Sequence, residues 1–267
     1  MDSVYIYGHH AVTEALRKRP DVVNAVYAEE KYLSDPKFVA QAKRARSLEV
    51  LGSKLPVGVP RDAVHQGLIA VIDTAKLVIP WKMFRESFQS EPDTSLVVLG
   101  EVHDPHNVGA IIRSAAAFGA SAVIIPEHRQ APVTGTVIKV SAGMAFSIPL
   151  VSIGNVNRTL RELKDRGFWV YGLDSEGDVS LSEEKFTKPT VFVVGNEGTG
   201  IREKTREQCD VVLTIPMHPR AESLNASVSA AVTLYAWSAQ HPRAVRSGPS
   251  AEEGSPDVAT ATRAKED

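Results

Sequence analysis

Three short segments carry residues whose types and spacing could do chemistry. In DPHNVGAIIRSAAAFG, Asn107 and Arg113 lie on one expected helix, separated by about 9 Å of rise. Arg113 interrupts a small, apolar run, and a guanidinium in that setting needs an anionic partner. Two partners stand open: a carboxylate such as Glu197, or a phosphate gripped in bidentate fashion. In VVGNEGTGI, the glycines Gly195, Gly198 and Gly200 surround Glu197. They let the backbone take positive φ and approach a ligand closely. The spacing is G-x-x-G-x-G, not the dinucleotide fingerprint, and it lacks the Lys-Ser/Thr ending of a phosphate loop. A plain turn and a ligand loop both remain compatible with it. In IPMHPRAESLNASVSAAV, the loop ends at Ser223, Leu224 and Asn225. Ser223 is placed to cap the following helix. Leu224, Val228, Ala231, Val232 and Tyr235 are spaced to form its buried face. A small-molecule cofactor between the last two loops is the expectation.

Other chemistry has weaker support. His103 and His106 flank Asp104, but no second His or Cys pair supplies the remaining ligands of a metal site, so solvent-exposed or capping roles are expected and no metal. No G-x-S-x-G elbow is present. The single cysteine, Cys209, follows a helical segment and is expected to be buried and inert.

These segments need a frame to hold them. Residues 95–240 alternate apolar strands (SLVVL, AVIIP, IPLVSI, FWVYGLD, TVFVVG, VVLTIPM) with helical stretches, which predicts an α/β parallel sheet covered on both faces. Asp104-Pro105 marks the start of the helix carrying Asn107, and Gly119 its end. Strand-end loops in such a sheet are where ligands bind. Residues 1–78 read as a separate small α/β unit, with PKFVAQAKRARSLEV helical and GLIAVI a strand. Residues 79–94 read as a linker containing a short amphipathic helix, and residues 241–267, poor in apolar side chains, as a disordered tail. Two basic clusters, Arg17-Lys18-Arg19 and Lys43-Arg44-Arg46, are either solvated helix faces or a phosphate-contacting surface.

The 267-residue chain has a net charge of −2, an apolar fraction of 43% and a charged fraction of 23%. Those are values of an ordinary globular protein. They give no electrostatic case for a nucleic-acid partner. One cysteine excludes an intrachain disulfide and fits a reducing cytoplasm. No run of about 18 apolar residues is present, so no membrane span is expected, and MDSVYIYGHH has no signal-peptide pattern.

With the three motifs in register, the chain resembles the TrmH-type RNA ribose 2′-O-methyltransferases of the SPOUT superfamily. IYGHHAVTEAL and HQGLIAVI are similar to the family's ribosomal-protein-like substrate-binding domain. The arrangement is most similar to the group that modifies a guanosine in large-subunit ribosomal RNA. The resemblance implies S-adenosylmethionine as methyl donor, a deep knot from about Val191 onward, and a homodimer whose site is completed by both protomers. It implies cofactor contacts at Gly195, Ile215, Met217, Ser223 and Leu224. It implies that Arg113 accepts a proton or orients substrate, supported by Asn107, Glu197, Ser223 and Asn225. The alternatives are the same chemistry on transfer RNA, a catalytically silent RNA-binding assembly factor, and a dinucleotide-dependent oxidoreductase, which the glycine spacing disfavours.

Overall fold

The computed structural model describes residues 3–196 and 198–246. Glu197 and the tail from 247 onward lie outside the described residues. The first unit runs β1 (Ser3–Tyr7), α1 (His9–Lys18), β2 (Val23–Ala28), α2 (Glu30–Leu33), α3 (Pro36–Ala42), β3 (Leu48–Val50), β4 (Leu68–Asp73) and α4 (Thr74–Leu77). Its four-stranded sheet has the order β1-β4-β2-β3. α1 buries Ala11, Val12, Ala15 and Leu16 along one stripe. The expected long helix after Pro36 stops at Ala42. Leu48 instead enters β3, pairing with Val26, because β2 would otherwise present an open edge.

The second unit runs β5 (Val78–Pro80), α5 (Trp81–Ser87), β6 (Ser95–Leu99), α6 (Pro105–Ala117), β7 (Ala122–Pro126), α7 (Gly135–Val140), β8 (Leu150–Ile153), α8 (Val156–Asp165), β9 (Trp169–Leu173), β10 (Val179–Ser180), β11 (Thr190–Val194), α9 (Glu203–Arg206), β12 (Val211–Thr214), α10 (Ala226–Gln240) and α11 (Pro242–Arg246). The strand order is β10-β12-β9-β11-β6-β7-β8-β5. Every paired neighbour in this sheet runs parallel. The parallel α/β sheet predicted for this region is therefore present. β6, β7 and β11 are buried along their whole length, as strands covered on both faces must be.

α6 begins as the sequence requires. The Asp104 carboxylate accepts from the His106 N–H at 2.8 Å, Pro105 occupies the first turn, and Gly119 closes the helix at φ +77°. Gly109 lets α6 lie against α7: a Cβ there would stand 2.7 Å from Val140 Cβ and 2.8 Å from the Val137 carbonyl oxygen.

Three further expectations are corrected. Residues 79–94 are not simply a linker. Val78–Pro80 pairs in parallel with β8 as the edge strand, and α5 buries Phe84, which stacks on Phe88 at 4.6 Å. Aromatic side chains of this size need apolar cover, and the second unit supplies it. The tail does not begin at 241. His241 is buried, stacks on Trp237 at 4.6 Å and leads into α11. The third correction concerns α10. It buries Ala226, Ala230, Thr233, Leu234 and Trp237, whereas Val228 (45% exposed), Val232 (37%) and Tyr235 (63%) face outward. The helix is apolar nearly all round, so periodicity could not choose the inner face. Trp237, fully buried, decides it by the area it removes from water.

Candidate active site

A cleft of about 480 Å³ opens at the carboxyl ends of β9, β11 and β12. Gly195, Ile215, Met217, Ser223 and Leu224 all line it, so the structure brings these five predicted cofactor residues together from two separate motifs. Its floor is the 195–200 loop. The Asn196 N–H donates to the Gly200 carbonyl at 2.9 Å, and the Gly200 N–H returns to the Asn196 carbonyl at 3.0 Å. This tight closure excludes a side chain at Gly195, where a Cβ would meet the Gly200 carbonyl carbon at 2.4 Å. Gly200 takes φ +64°, a conformation that favours glycine, and lies beside the Asp174 carboxylate. The loop is a tight backbone turn whose glycines bring the main chain close to the cleft.

Sequence reasoning missed one wall. The loop after β9 contributes Asp174, Ser175 and Glu176, and α9 adds Glu203 and Arg206. Arg206 is held by Asp174 at 3.6 Å and by the Glu176 carbonyl at 2.8 Å. The available signal was the strand FWVYGLD ending in a polar, glycine-containing loop, like the two loops already singled out. The wall mixes carboxylates with aliphatic Leu173, Val194 and Leu213. That combination suits a cationic ligand with a flat apolar portion and hydroxyl groups.

The other predicted residues sit elsewhere. Asn107 is buried on α6 (7% exposed), and Asn225 Nδ2 donates to its Oδ1 at 3.0 Å. Asn225, not Ser223, caps α10: its Oδ1 accepts from the Ser227 N–H at 2.8 Å and the Ser227 hydroxyl at 2.6 Å. Ser223 is exposed and lines the cleft instead, two residues ahead of the N-cap position. Arg113 is also exposed. It does not line the cleft, and among the described residues it has no ion pair. The apolar run around it suggested a buried guanidinium. The burial falls instead on Val108, Ile111, Ile112 and Ala115, which leaves position 113 pointing out of the packed stripe.

The first basic cluster is partly offset locally: Arg17 and Lys18 share Glu14, and Arg19 pairs with Asp21. Lys43, Arg44 and Arg46 are exposed and make no ion pair among the described residues. No group of three or more His, Cys, Asp or Glu side chains could hold a metal ion among the described residues. Burial pushes the Cys209 thiol up to about 12, with the Asp210 charge adding to the shift, so Cys209 is no nucleophile at neutral pH. No helix is long and apolar enough to cross a membrane among the described residues.

Comparison with known proteins accounts for both units. Residues 94–235 match the SpoU rRNA Methylase family, and residues 5–78 match the RNA 2′-O ribose methyltransferase substrate-binding family. The chain is similar to the 23S rRNA (guanosine-2′-O-)-methyltransferase RlmB of Nitrosomonas europaea, at 36% identity over 92% of this chain and 95% of that protein. It is 39% identical to the protein of the same name from Pseudomonas aeruginosa, over 86% of this chain and 94% of the other. In fold it resembles the SpoU methyltransferase AviRb from Streptomyces viridochromogenes, crystallised in complex with the cofactor AdoMet. That likeness has a TM-score of 0.74 at 23% identity, covering 90% of this chain and 91% of the other.

Proposed function

The chain belongs to the SpoU rRNA Methylase family, and on that premise we propose that it transfers a methyl group from S-adenosylmethionine to the ribose 2′-hydroxyl of a guanosine in 23S ribosomal RNA. The carrying observation is the cleft that unites Gly195, Ile215, Met217, Ser223 and Leu224 over a backbone cradle. The substrate follows from the relatives, whose names specify it and whose length this chain spans almost fully.

S-adenosylmethionine supplies an electrophilic methyl group on a sulfonium. Gly195 and the loop through Gly200 hold the ligand by main-chain groups, and Leu224, Ile215 and Met217 cover its apolar part. Asp174, Glu176 and Glu203 offer acceptors for its hydroxyl and cationic groups. Arg113 grips a phosphate of the RNA and stabilises charge developing on the ribose oxygen. A guanidinium keeps its proton to above about pH 12, so positioning and charge stabilisation suit it better than proton abstraction. Asn107 and Asn225 brace the α6 and α10 ends that carry this arrangement, and Glu197 belongs to the same loop.

The protein works as a homodimer in this reading. Arg113 is exposed and outside the cleft of its own chain, and α10 displays Val228, Val232 and Tyr235 to solvent. A second copy laid on that face covers the apolar stripe and brings its Arg113 to the first copy's cleft. The knot implied by resemblance is consistent with β11 inserting between β9 and β6, after which the chain passes out to β12 and back over α6. Residues 5–78 hold the RNA flanking the target, and the enzyme acts in the cytoplasm on ribosomal RNA.

Two measurements test the proposal. Calorimetry with S-adenosylmethionine and with NAD should show binding of the first alone. Mapping ribose methyl marks in a deletion strain should show one guanosine mark missing from 23S ribosomal RNA. A missing transfer-RNA mark with an intact ribosomal pattern would move the substrate to transfer RNA.

A further inference from the structure

His103, three residues before His106, takes no part in the proposed chemistry. Its hydrogen bonds give it another role. The Asn196 side chain closes the cofactor loop from within: its Oδ1 accepts from the Gly198 N–H at 2.9 Å and the Thr199 N–H at 3.2 Å. Those two donors fix which end of the amide is oxygen. Nδ2 therefore points the other way, donating to the Glu101 carbonyl at 3.0 Å and toward His103 Nδ1 at 3.3 Å. His103 Nε2 lies 3.0 Å from the Arg129 carbonyl oxygen.

These partners leave one tautomer. Nε2 faces a carbonyl and must carry the hydrogen. Nδ1 faces an amide N–H and must accept. The neutral Nε2–H form satisfies both contacts, and the opposite tautomer satisfies neither. The surroundings hold the imidazole in place. Glu101, at φ +69°, is tied by Arg202 at 2.7 Å, and Gln130 bonds both the N–H and the carbonyl of Val102, at 2.9 and 2.6 Å.

We infer that His103 is a positioning residue: through Nδ1 it orients Asn196, and through Asn196 it holds the 195–200 loop in the shape that receives the cofactor. It thereby ties that loop to the exposed 127–129 segment beyond β7. The inference rests on the cofactor reading of the cleft.

The test exploits side-chain geometry. Asn Oδ1 sits at the same remove from Cβ as His Nδ1, whereas Gln Nε2 reproduces the reach of His Nε2. His103→Leu, His103→Asn and His103→Gln are compared by calorimetry with S-adenosylmethionine and by steady-state kinetics. His103→Leu should weaken cofactor affinity about tenfold, the loss expected from one hydrogen bond. The change should fall on Kd and on KM for the cofactor, with the melting temperature of the free protein held, because the imidazole is exposed. His103→Asn should restore most of the affinity and His103→Gln should not. Wild-type affinity in His103→Leu, or rescue by Gln in place of Asn, overturns the inference while leaving the enzyme reading intact. Absence of cofactor binding to the wild-type protein overturns both.

Discussion

Asn225 Nδ2 donates to Asn107 Oδ1 at 3.0 Å across 118 positions of sequence. One asparagine caps α10, the other lies in the first turn of α6, and the bond joins the two helix starts that flank the proposed site. The amide of Asn225 does two separable things: its oxygen caps the helix and its nitrogen makes the link.

Asn225→Ala removes both. It should cost about 1–2 kcal/mol of stability, the sum of a lost cap and a lost internal hydrogen bond. Asn225→Asp keeps the capping oxygen but turns an oxygen toward Asn107, so most of the cap energy survives while methyl transfer falls. Thermal unfolding alongside activity separates the two roles. Equal losses of stability in both variants would show that the link, not the cap, dominates.

Arg113→Ala should lower turnover roughly 10²–10³-fold, the range for removing one group that stabilises developing charge. Its guanidinium is exposed and outside the cleft, so cofactor affinity and melting temperature should stay near wild type. Calorimetry beside a methylation assay reads both. Retained turnover would remove Arg113 from the mechanism.

Gly195→Ala should abolish cofactor binding. The added methyl meets backbone, with the Gly200 carbonyl carbon at 2.4 Å and the Ile201 nitrogen at 2.7 Å, so the loop must open. Strain of this kind costs about 1–3 kcal/mol, which a melting curve detects. Unchanged affinity would mean that the cradle does not hold the ligand.

Tyr235→Glu places a charge on the outward face of α10 and gives up the edge-on contact of Tyr235 with Phe118. Sedimentation should show dimer in the wild type and monomer in the variant, with methyl transfer lost in the monomer. A wild-type protein that sediments as a monomer at micromolar concentration would refute the shared-site reading.

Cys209 supplies a pH prediction. Burial raises its folded thiol to about 12 from an ordinary 9.0. The group whose folded pKa is raised contributes stability that is fully present below the unfolded value and lost as pH climbs through the folded one. That contribution should fade between about pH 9 and pH 12. Alkylation of Cys209 at pH 8 should be far slower in the native protein than in denaturant; equal rates would contradict the burial.

Much of this protein was legible without a structure. Asp104-Pro105 and Gly119 delimited α6, the apolar runs located the parallel strands, and the two glycine- and serine-containing loops held five residues of one cleft. These signals are local: capping, positive φ and apolar periodicity act within a few residues of chain. Tertiary structure alone decided the rest. Strand order put the β9 loop, with Asp174, beside Gly195. Packing turned Trp237 inward and Val232 and Tyr235 outward on a helix whose own pattern favoured neither face. Tertiary packing also left Arg113 on the surface and joined Asn107 to Asn225. Each outcome is set by which distant element supplies apolar cover or a hydrogen-bond partner, and a linear pattern does not encode that choice.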